Sequence, residues 1–455
     1  MIDRKRKGHD AMKKLRITAL TAMAAFTLGA GLPVQSLPPV VAPVSVCEAA
    51  SHIDESIRPI QLAVNNHRML DADEQGMFLR SSETMVVFTG SAVAEGVEEL
   101  QKALWAYNKE NAEQRAKFRA KLVEQAKADR AERQAAGAST FSAYQDMNDV
   151  FIRRADTMAV SLLEWSFNYE GGVHGMSGVR GRNFDSKTGQ ELVLSDVCPD
   201  LPKLAEVIRA QLCREYPNAS FVANGAEAVN LLMGAGNIAW TLDPTGVSFY
   251  FNPYLIGSYS EGIFSTTVLF DEHPELFVEQ YCRAPKAYCM ELRPYIPARA
   301  SFANGDVAQV RVFSSDGGRR ISLNGVILDD WGETYDQRPV LVSLADGRRY
   351  LYVDGIGAGD AWERTTIYDV NGNQPVLVPM QQQFTRRADV DEDFAEAERG
   401  PIMIDEKRDK GFAVMADPED FYMTRLNEST GKAELCQCRV GADGTPEVLW
   451  VQGQS

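Results

Sequence analysis

The sequence predicts an α+β protein: antiparallel sheet with helices up to about residue 298, then an all-β (sandwich or propeller-like) C-terminal domain. Three observations carry this. A long stretch of helical periodicity, Gly96–Ala136, lies between strand-like segments. Between 166 and 298, strands rich in β-branched and aromatic residues meet at glycine turns, with one helix among them. After residue 300, short β-rich segments alternate with Asp-Gly and Asn-Gly turns at a spacing of about ten residues.

Each part follows from its residues. Residues 1–49 read as a signal peptide and linker. Lys13, Lys14 and Arg16 precede the charge-free run from Ile17 to Gly31, and Pro33, Pro38, Pro39 and Pro43 stop any helix beyond it. A run of this length spans roughly 22 Å as a helix, short of the ~30 Å bilayer core. The rival reading is an uncleaved membrane anchor. Residues 50–165 should form a first α+β domain. Glu83–Gly90 reads as a strand, and the long helix buries Leu100, Leu104 and Tyr107 on one face and Phe118 and Leu122 on a later one. Residues 166–298 should form a second. Its strand RGRNFD is followed by the turn SKTG and by QELVLSDV as a further alternating segment, then by a helix over Pro202–Glu215. Three strands follow across Asn237–Phe270, the first two joined by the Asp243-Pro244-Thr245-Gly246 turn. Residues 300–455 should be β-rich, with segments at Ala308–Phe313, Arg320–Leu328, Pro339–Leu344, Arg349–Val353, Thr365–Val370 and Glu434–Val440.

The chain of 455 residues has 45% hydrophobic and 24% charged residues, the balance of a soluble globular protein. Its net charge of −16 argues against nucleic acid, which demands a basic face. Removing residues 1–49 takes away more basic than acidic residues, so the exported part is more acidic still and suited to cationic partners. Seven cysteines are present, and Cys47 lies at the expected cleavage site. Among the other six, Cys282 and Cys289 flank a short loop containing Pro285 and are the candidate disulfide. Cys198 and Cys213 stand at opposite ends of a helix, too far apart to bridge. Cys436 and Cys438 should share one strand face, and a lone C-x-C is weak evidence for metal.

Candidate chemistry concentrates between Asn168 and Val197, a stretch with six glycines and one histidine. Gly171, Gly172 and Gly175 permit positive φ around His174. A general base would need a nucleophile and an orienting acid, and no G-x-S-x-G elbow frames His174. The simpler expectation is an imidazole that pins a turn by bonding backbone carbonyls. Tyr254 and Tyr259 form a candidate binding surface if exposed, and core packing is the competing expectation. Asp369, Asn371 and Asn373 alternate as in a calcium loop, but lack its glycine and its glutamate at the twelfth position. Asp389, Asp391, Glu392 and Asp393 read as a solvated loop. No metal, cofactor or catalytic residue is assigned.

The stretches RADTMAVSLLEWSFNYEGGVHG, NFDSKTGQELVLSDV and GVSFYFNPYLIGSYSEG occur in a familiar order. Over residues 55–280 the chain resembles the extracellular domain pair of RsiV-type anti-sigma factors and the N-terminal region of PdaC-type peptidoglycan deacetylases. The motif residues are Gly171, Gly172, His174, Gly175, Asn183, Phe184, Asp185, Gly189 and Asp196. On this resemblance residues 50–165 are PdaC-N-like and 166–298 RsiV-like, and the module is exported. In the anti-sigma relatives it recognises lysozyme. About sixteen residues before the apolar run are too few for the cytoplasmic domain of an anti-sigma factor. No histidine follows residue 300, so a His-ligated deacetylase site cannot be built there. The expected function is therefore a non-catalytic cell-envelope module that binds a lysozyme-type protein or cell-wall glycan. The alternative is an envelope hydrolase acting on peptidoglycan or polysaccharide through His174.

Overall fold

A computed structural model describes residues 53–88, 96–224, 227–302, 305–315, 318–330, 336–356, 364–386, 410–413, 415–427 and 432–451. The N-terminal segment read as a signal peptide, Asn373's acidic successors at 389–393 and Cys47 lie outside or beyond these ranges, apart from Asn373 itself. The fold is α+β with mostly antiparallel sheets.

The first sheet begins with a hairpin, β1 (Leu62–Asp73) and β2 (Gly76–Phe88). Gly76 closes its turn at φ 106°, a left-handed conformation that favours glycine. Helix α1 (Glu98–Ala135) then crosses to β3 (Tyr144–Ala155), which pairs parallel to β2 over only three residues, Leu79–Ser81. Beyond that the strands part, and side chains fill the gap. The Asn148 amide donates to Ser82 O (2.9 Å) and Asn66 Nδ2 donates to Asn148 O (2.8 Å). From α1, Asn108 accepts from Val86 N and donates to Val86 O, so its amide stands in for a neighbouring strand. The helix buries Leu100, Leu104 and Tyr107 in one cluster and Leu122 and Ala126 against Phe78, Leu79 and Tyr144 in another. Arg115–Asp146 and Arg119–Asp71 ion pairs tie its middle to the sheet.

Antiparallel β4 (Ala159–Tyr169) and β5 (Met176–Asp185) complete this side of the sheet. The expected continuation as an alternating strand at QELVLSDV is corrected. A single bridge, Phe184↔Glu191, is followed by one helical turn at Leu194–Val197, whose start is fixed by Val193 N donating to Asp196 Oδ2 (2.9 Å). Helix α2 (Leu201–Glu215) is capped by Asp200, which accepts from Lys203 N (3.0 Å), with Pro202 in its first turn. It packs Leu204, Ile208 and Leu212 onto a three-stranded sheet of β6 (Ala239–Asp243), β7 (Gly246–Phe251) and β8 (Phe264–Leu269).

The C-terminal part is a layered sandwich. Its middle sheet is formed by β9 (Tyr288–Glu291) with later strands. After β10 (Ala298–Ser301), β11 (Val307–Ser315), β12 (Gly318–Leu323) and β13 (Val326–Asp330) come β14 (Asp336–Ser343), β15 (Arg349–Ile356), β16 (Arg364–Asp369) and β17 (Val376–Val378). The middle sheet runs β17-β16-β15-β14-β9. Strand alternation sends Leu341, Leu351, Val353 and Tyr368 to one face, where they meet Val310, Val312, Ile321 and Leu323 of the β10–β13 sheet. Val340, Val342, Tyr350, Tyr352 and Ile367 turn to the other face. There they meet the sheet β18 (Phe384–Thr385), β20 (Phe421–Asn427), β21 (Lys432–Val440) and β22 (Pro446–Val451). Strands buried on both faces read as apolar runs, as in PVLVSL. The stretch Arg320–Leu328 is two strands, because Asn324 and Gly325 both take positive φ and make a tight hairpin turn.

The sheets run across the divisions drawn from sequence. Residues 165 and 166 both lie in β4, and residue 300 lies in β10. Strand β19 (Lys410–Ala413) returns to pair with β1 and extends the first sheet.

Candidate functional site

The loop between β4 and β5 holds the histidine. Gly171 and Gly172 are in the left-handed region at φ 83° and 98°. Gly175 is not, which corrects the expectation of positive φ there. Its role is proximity: a Cβ would stand 2.3 Å from the Phe167 ring and 2.8 Å from Asn168 O. His174 is exposed, and its neighbour Val173 is 99% exposed. His174 Nδ1 lies 2.9 Å from Gly175 O.

A second loop, after β7, meets it. Tyr259 Oη donates to the same carbonyl at 2.7 Å across 84 residues of sequence. The His174 and Tyr259 rings stack with centroids 4.0 Å apart and planes at 21°. Tyr254 stacks on Tyr259 at 6.0 Å, is 55% exposed, and has φ 71°, uncommon for a side chain of its bulk. The three rings form a ledge, with His174 and Tyr254 exposed and Tyr259 half-buried between the two loops. Tyr250 and Phe251, by contrast, are core residues.

Three devices hold the ledge. Asn252 accepts from Val179 N (2.7 Å) and donates to Val179 O (3.0 Å), locking the second loop to β5. Glu261 accepts from Ser220 N and Oγ and from Ser258 N and Oγ, at 2.6–2.8 Å. The Ser220 hydrogen bonds first, then those of Ser258, hold its carboxyl at about 2. At the start of the first loop, Arg133 and Asp129 near the end of α1 pair and lie against Gly171.

The remaining motif residues build the frame. Asn183 is buried; its Oδ1 accepts from Ser161 Oγ and Leu242 N, and its Nδ2 donates to Trp240 O. Phe184 is in the core beneath α1. Asp185 accepts from Lys187 N, Thr188 N and Thr188 Oγ1, and this shapes the SKTG turn. Gly189, at φ 69°, approaches α1 so closely that a Cβ would stand 2.4 Å from Glu99 O. Asp196 is the helix-start acceptor described above. Thus His174, Gly175, Tyr254 and Tyr259 come together at one site, and Asn183, Phe184, Asp185, Gly189 and Asp196 do not join them.

The Cys282–Cys289 bridge is corrected. Both thiols are free and buried, Cys282 in the core under α2 and Cys289 in the C-terminal sandwich core, so the loop between them joins two separate hydrophobic clusters. At Asp369–Asn373, where the sequence lacked the calcium loop's glycine and glutamate, Asn371 donates to Asp369 Oδ1 from both its backbone N and its side-chain amide, and makes an ordinary turn. Among the described residues no group of three or more His, Cys, Asp or Glu is placed to hold a metal.

Sequence reasoning missed a buried ionic hub. A bulge between Ile152 and Arg154 turns Arg153 inward, where Nε and Nη2 pair with Asp243 at 3.0 and 2.6 Å and Nη1 donates to Glu291 O. Glu291 on β9 accepts from Ile152 N (2.8 Å), Arg338 Nε and Nη2 (3.0 and 2.9 Å) and Arg386 Nη1 (3.2 Å). Burial pushes the Glu291 carboxyl up, but Arg338 and Arg386 outweigh it and leave it below the usual carboxylate range. Arg386 also pairs with Asp354, and Arg338 with Asp149. Every arginine of the hub is matched by a carboxylate, so the hub joins the parts of the molecule. The sequence signal was the doublet Arg153-Arg154 directly after the apolar run Val150–Ile152.

Fold and site together describe an α+β scaffold that carries an aromatic ledge. Residues 195–271 match the family described as "Protein of unknown function (DUF3298)", and the chain carries that domain there. The matched segment holds α2, β6–β8 and both tyrosines of the ledge. Two solved structures of the same family are similar to this chain. One, from Bacteroides fragilis, is 16% identical, covers 48% of this chain and 95% of its own, and has a TM-score of 0.36. Another, from Pseudomonas aeruginosa, is 17% identical, covers 50% of this chain and 98% of its own, with a TM-score of 0.31. No curated protein matches.

Proposed function

We propose that this protein is an exported, non-catalytic module of the cell envelope, RsiV-like in its DUF3298 part, that binds a cationic protein of the lysozyme type through the His174–Tyr259–Tyr254 ledge. The observation that carries this reading is the three-ring stack with His174 and Tyr254 exposed, held by a strained Tyr254 backbone and locked to β5 by Asn252. Exposed aromatics on a rigid mount are effective anchors, because little conformational entropy is lost on binding. The net charge of −16 supports a cationic partner by steering and complementarity. Cell-wall glycan is the competing ligand for the same rings. The hydrolase reading has less behind it, since the polar contact of His174 is a main-chain carbonyl and not a hydroxyl or carboxylate.

Titration calorimetry with lysozyme and with soluble peptidoglycan fragments tests this. Lysozyme should bind, weaken as salt rises from 50 to about 500 mM, and lose most of its affinity with Tyr254→Ala. Binding indifferent to Tyr254 and to salt, or no binding at all, removes the proposal.

A further inference from the structure

We infer that His174 Nε2 is a built hydrogen-bond acceptor and that the ledge takes an arginine side chain of the partner; this rests on the reading of the ledge as the binding surface. The argument starts from one carbonyl. Gly175 O can only accept, and it lies 2.9 Å from His174 Nδ1 and 2.7 Å from Tyr259 Oη. Both must therefore donate, which fills the two lone pairs of that oxygen. The proton of neutral His174 is thereby fixed on Nδ1, and the lone pair is left on Nε2, on the far edge of an exposed ring. Among the described residues Nε2 has no protein partner. The Tyr259 proton is spent on the same carbonyl, and Tyr259 covers one face of the imidazole at 4.0 Å.

The site therefore shows the solvent an in-plane acceptor from His174 and the ring of Tyr254 at the other end of the stack. A ligand that satisfies both must offer N–H or O–H donors and a flat or cationic surface. Guanidinium does this: it is always charged, presents five donors in a plane, and stacks on aromatic faces. A sugar hydroxyl could also donate to Nε2, but it gains nothing from a chain of net charge −16 or from exposed Glu170 in the same loop. An ammonium could pair with Nε2 but does not stack as a plane. Charge and shape together favour arginine.

The experiment has two independent readouts on the whole protein. Long-range proton–nitrogen spectra of the imidazoles report the tautomer directly. His174 should show a protonated Nδ1 and an unprotonated Nε2, and the Nε2 resonance should move when an arginine-rich peptide is added. It should move much less with the matched lysine peptide or a chitin oligosaccharide. Calorimetry with the arginine peptide is then compared between wild type, His174→Phe and His174→Gln. Phe keeps a ring on Tyr259 without an acceptor, and Kd should rise about tenfold or more, the loss expected for a hydrogen bond to a charged donor. Gln keeps an acceptor and should recover part of that. An Nε2-protonated tautomer, equal binding by His174→Phe, or equal affinity for the lysine peptide overturns the inference even if Tyr254→Ala still abolishes lysozyme binding. Absence of both arginine-peptide and lysozyme binding by wild type overturns the inference and the ledge reading together.

Discussion

Glu291 is the acceptor at the centre of the buried hub, and its removal should be among the most damaging single changes in the molecule. In Glu291→Ala, two guanidinium groups lose their shared carboxylate and Ile152 N loses its acceptor. Removing one partner of a buried ion pair costs about 3–5 kcal/mol. The orphaned N–H adds about 1–3 kcal/mol. Arg338 keeps Asp149 and Arg386 keeps Asp354, which offsets part of this. A net loss of about 3–5 kcal/mol is expected. With a urea m-value on the order of 3 kcal/mol/M, the unfolding midpoint falls by about 1–1.7 M. Glu291→Gln retains one acceptor and should fall between. The pH dependence has a definite sign. The folded carboxyl is depressed, so its contribution is present above the ordinary carboxylate pKa and is lost as pH falls below it. The stability of Glu291→Gln should therefore vary less with pH on the acid side than that of wild type. A midpoint shift under about 0.3 M for Glu291→Ala would refute the argument and demote the hub to a well-solvated ornament of the interior.

Gly181→Ala should lower the melting temperature sharply, because a Cβ there would lie 1.7 Å from Trp240 O and drive β5 from β6; at least 1–3 kcal/mol is the roughly expected cost of such overpacking, and an unchanged melting temperature would contradict the close approach. The Glu261 carboxyl should titrate near 2 by carbon-13 NMR; since it is depressed, the loop anchor it provides persists above the ordinary glutamate range and is lost only as pH approaches 2, whereas titration at the ordinary glutamate pKa would mean the four serine contacts do not form in solution. Cys282 and Cys289 should resist thiol reagents in the native protein and both react after denaturation; recovery of a linked peptide joining them would reinstate the bridge.

Helix α1 was legible because its length and apolar spacing leave no alternative, and the Asp243–Gly246 and Asn324-Gly325 turns were legible from residue chemistry that demands them. Strand β1 was not. LAVNNHRMLDAD breaks its alternation where Asn66 is buried to fill the gap between β2 and β3. Four-residue β19 carries no local signal, since its place at the edge of the first sheet is set by pairing with β1. At the site, the glycines, His174 and both tyrosines stood out by type. Their meeting did not, because Tyr259 reaches Gly175 across 84 residues that include α2 and the three strands β5, β6 and β7. The inward turn of Arg153 depends on a bulge, which the residues around it do not announce.

The pairing of Arg153 with Asp243 has an evolutionary corollary. The matched family segment begins at residue 195, so one member of that pair lies inside it and the other lies 42 positions upstream of its start. A recombination event that exchanged residues 195–271 with a distant homologue would import a replacement for Asp243 while keeping the host's arginine. Grafts should survive only when the donor brings a carboxylate to that strand. The unit that must fold together is thus longer than the matched segment.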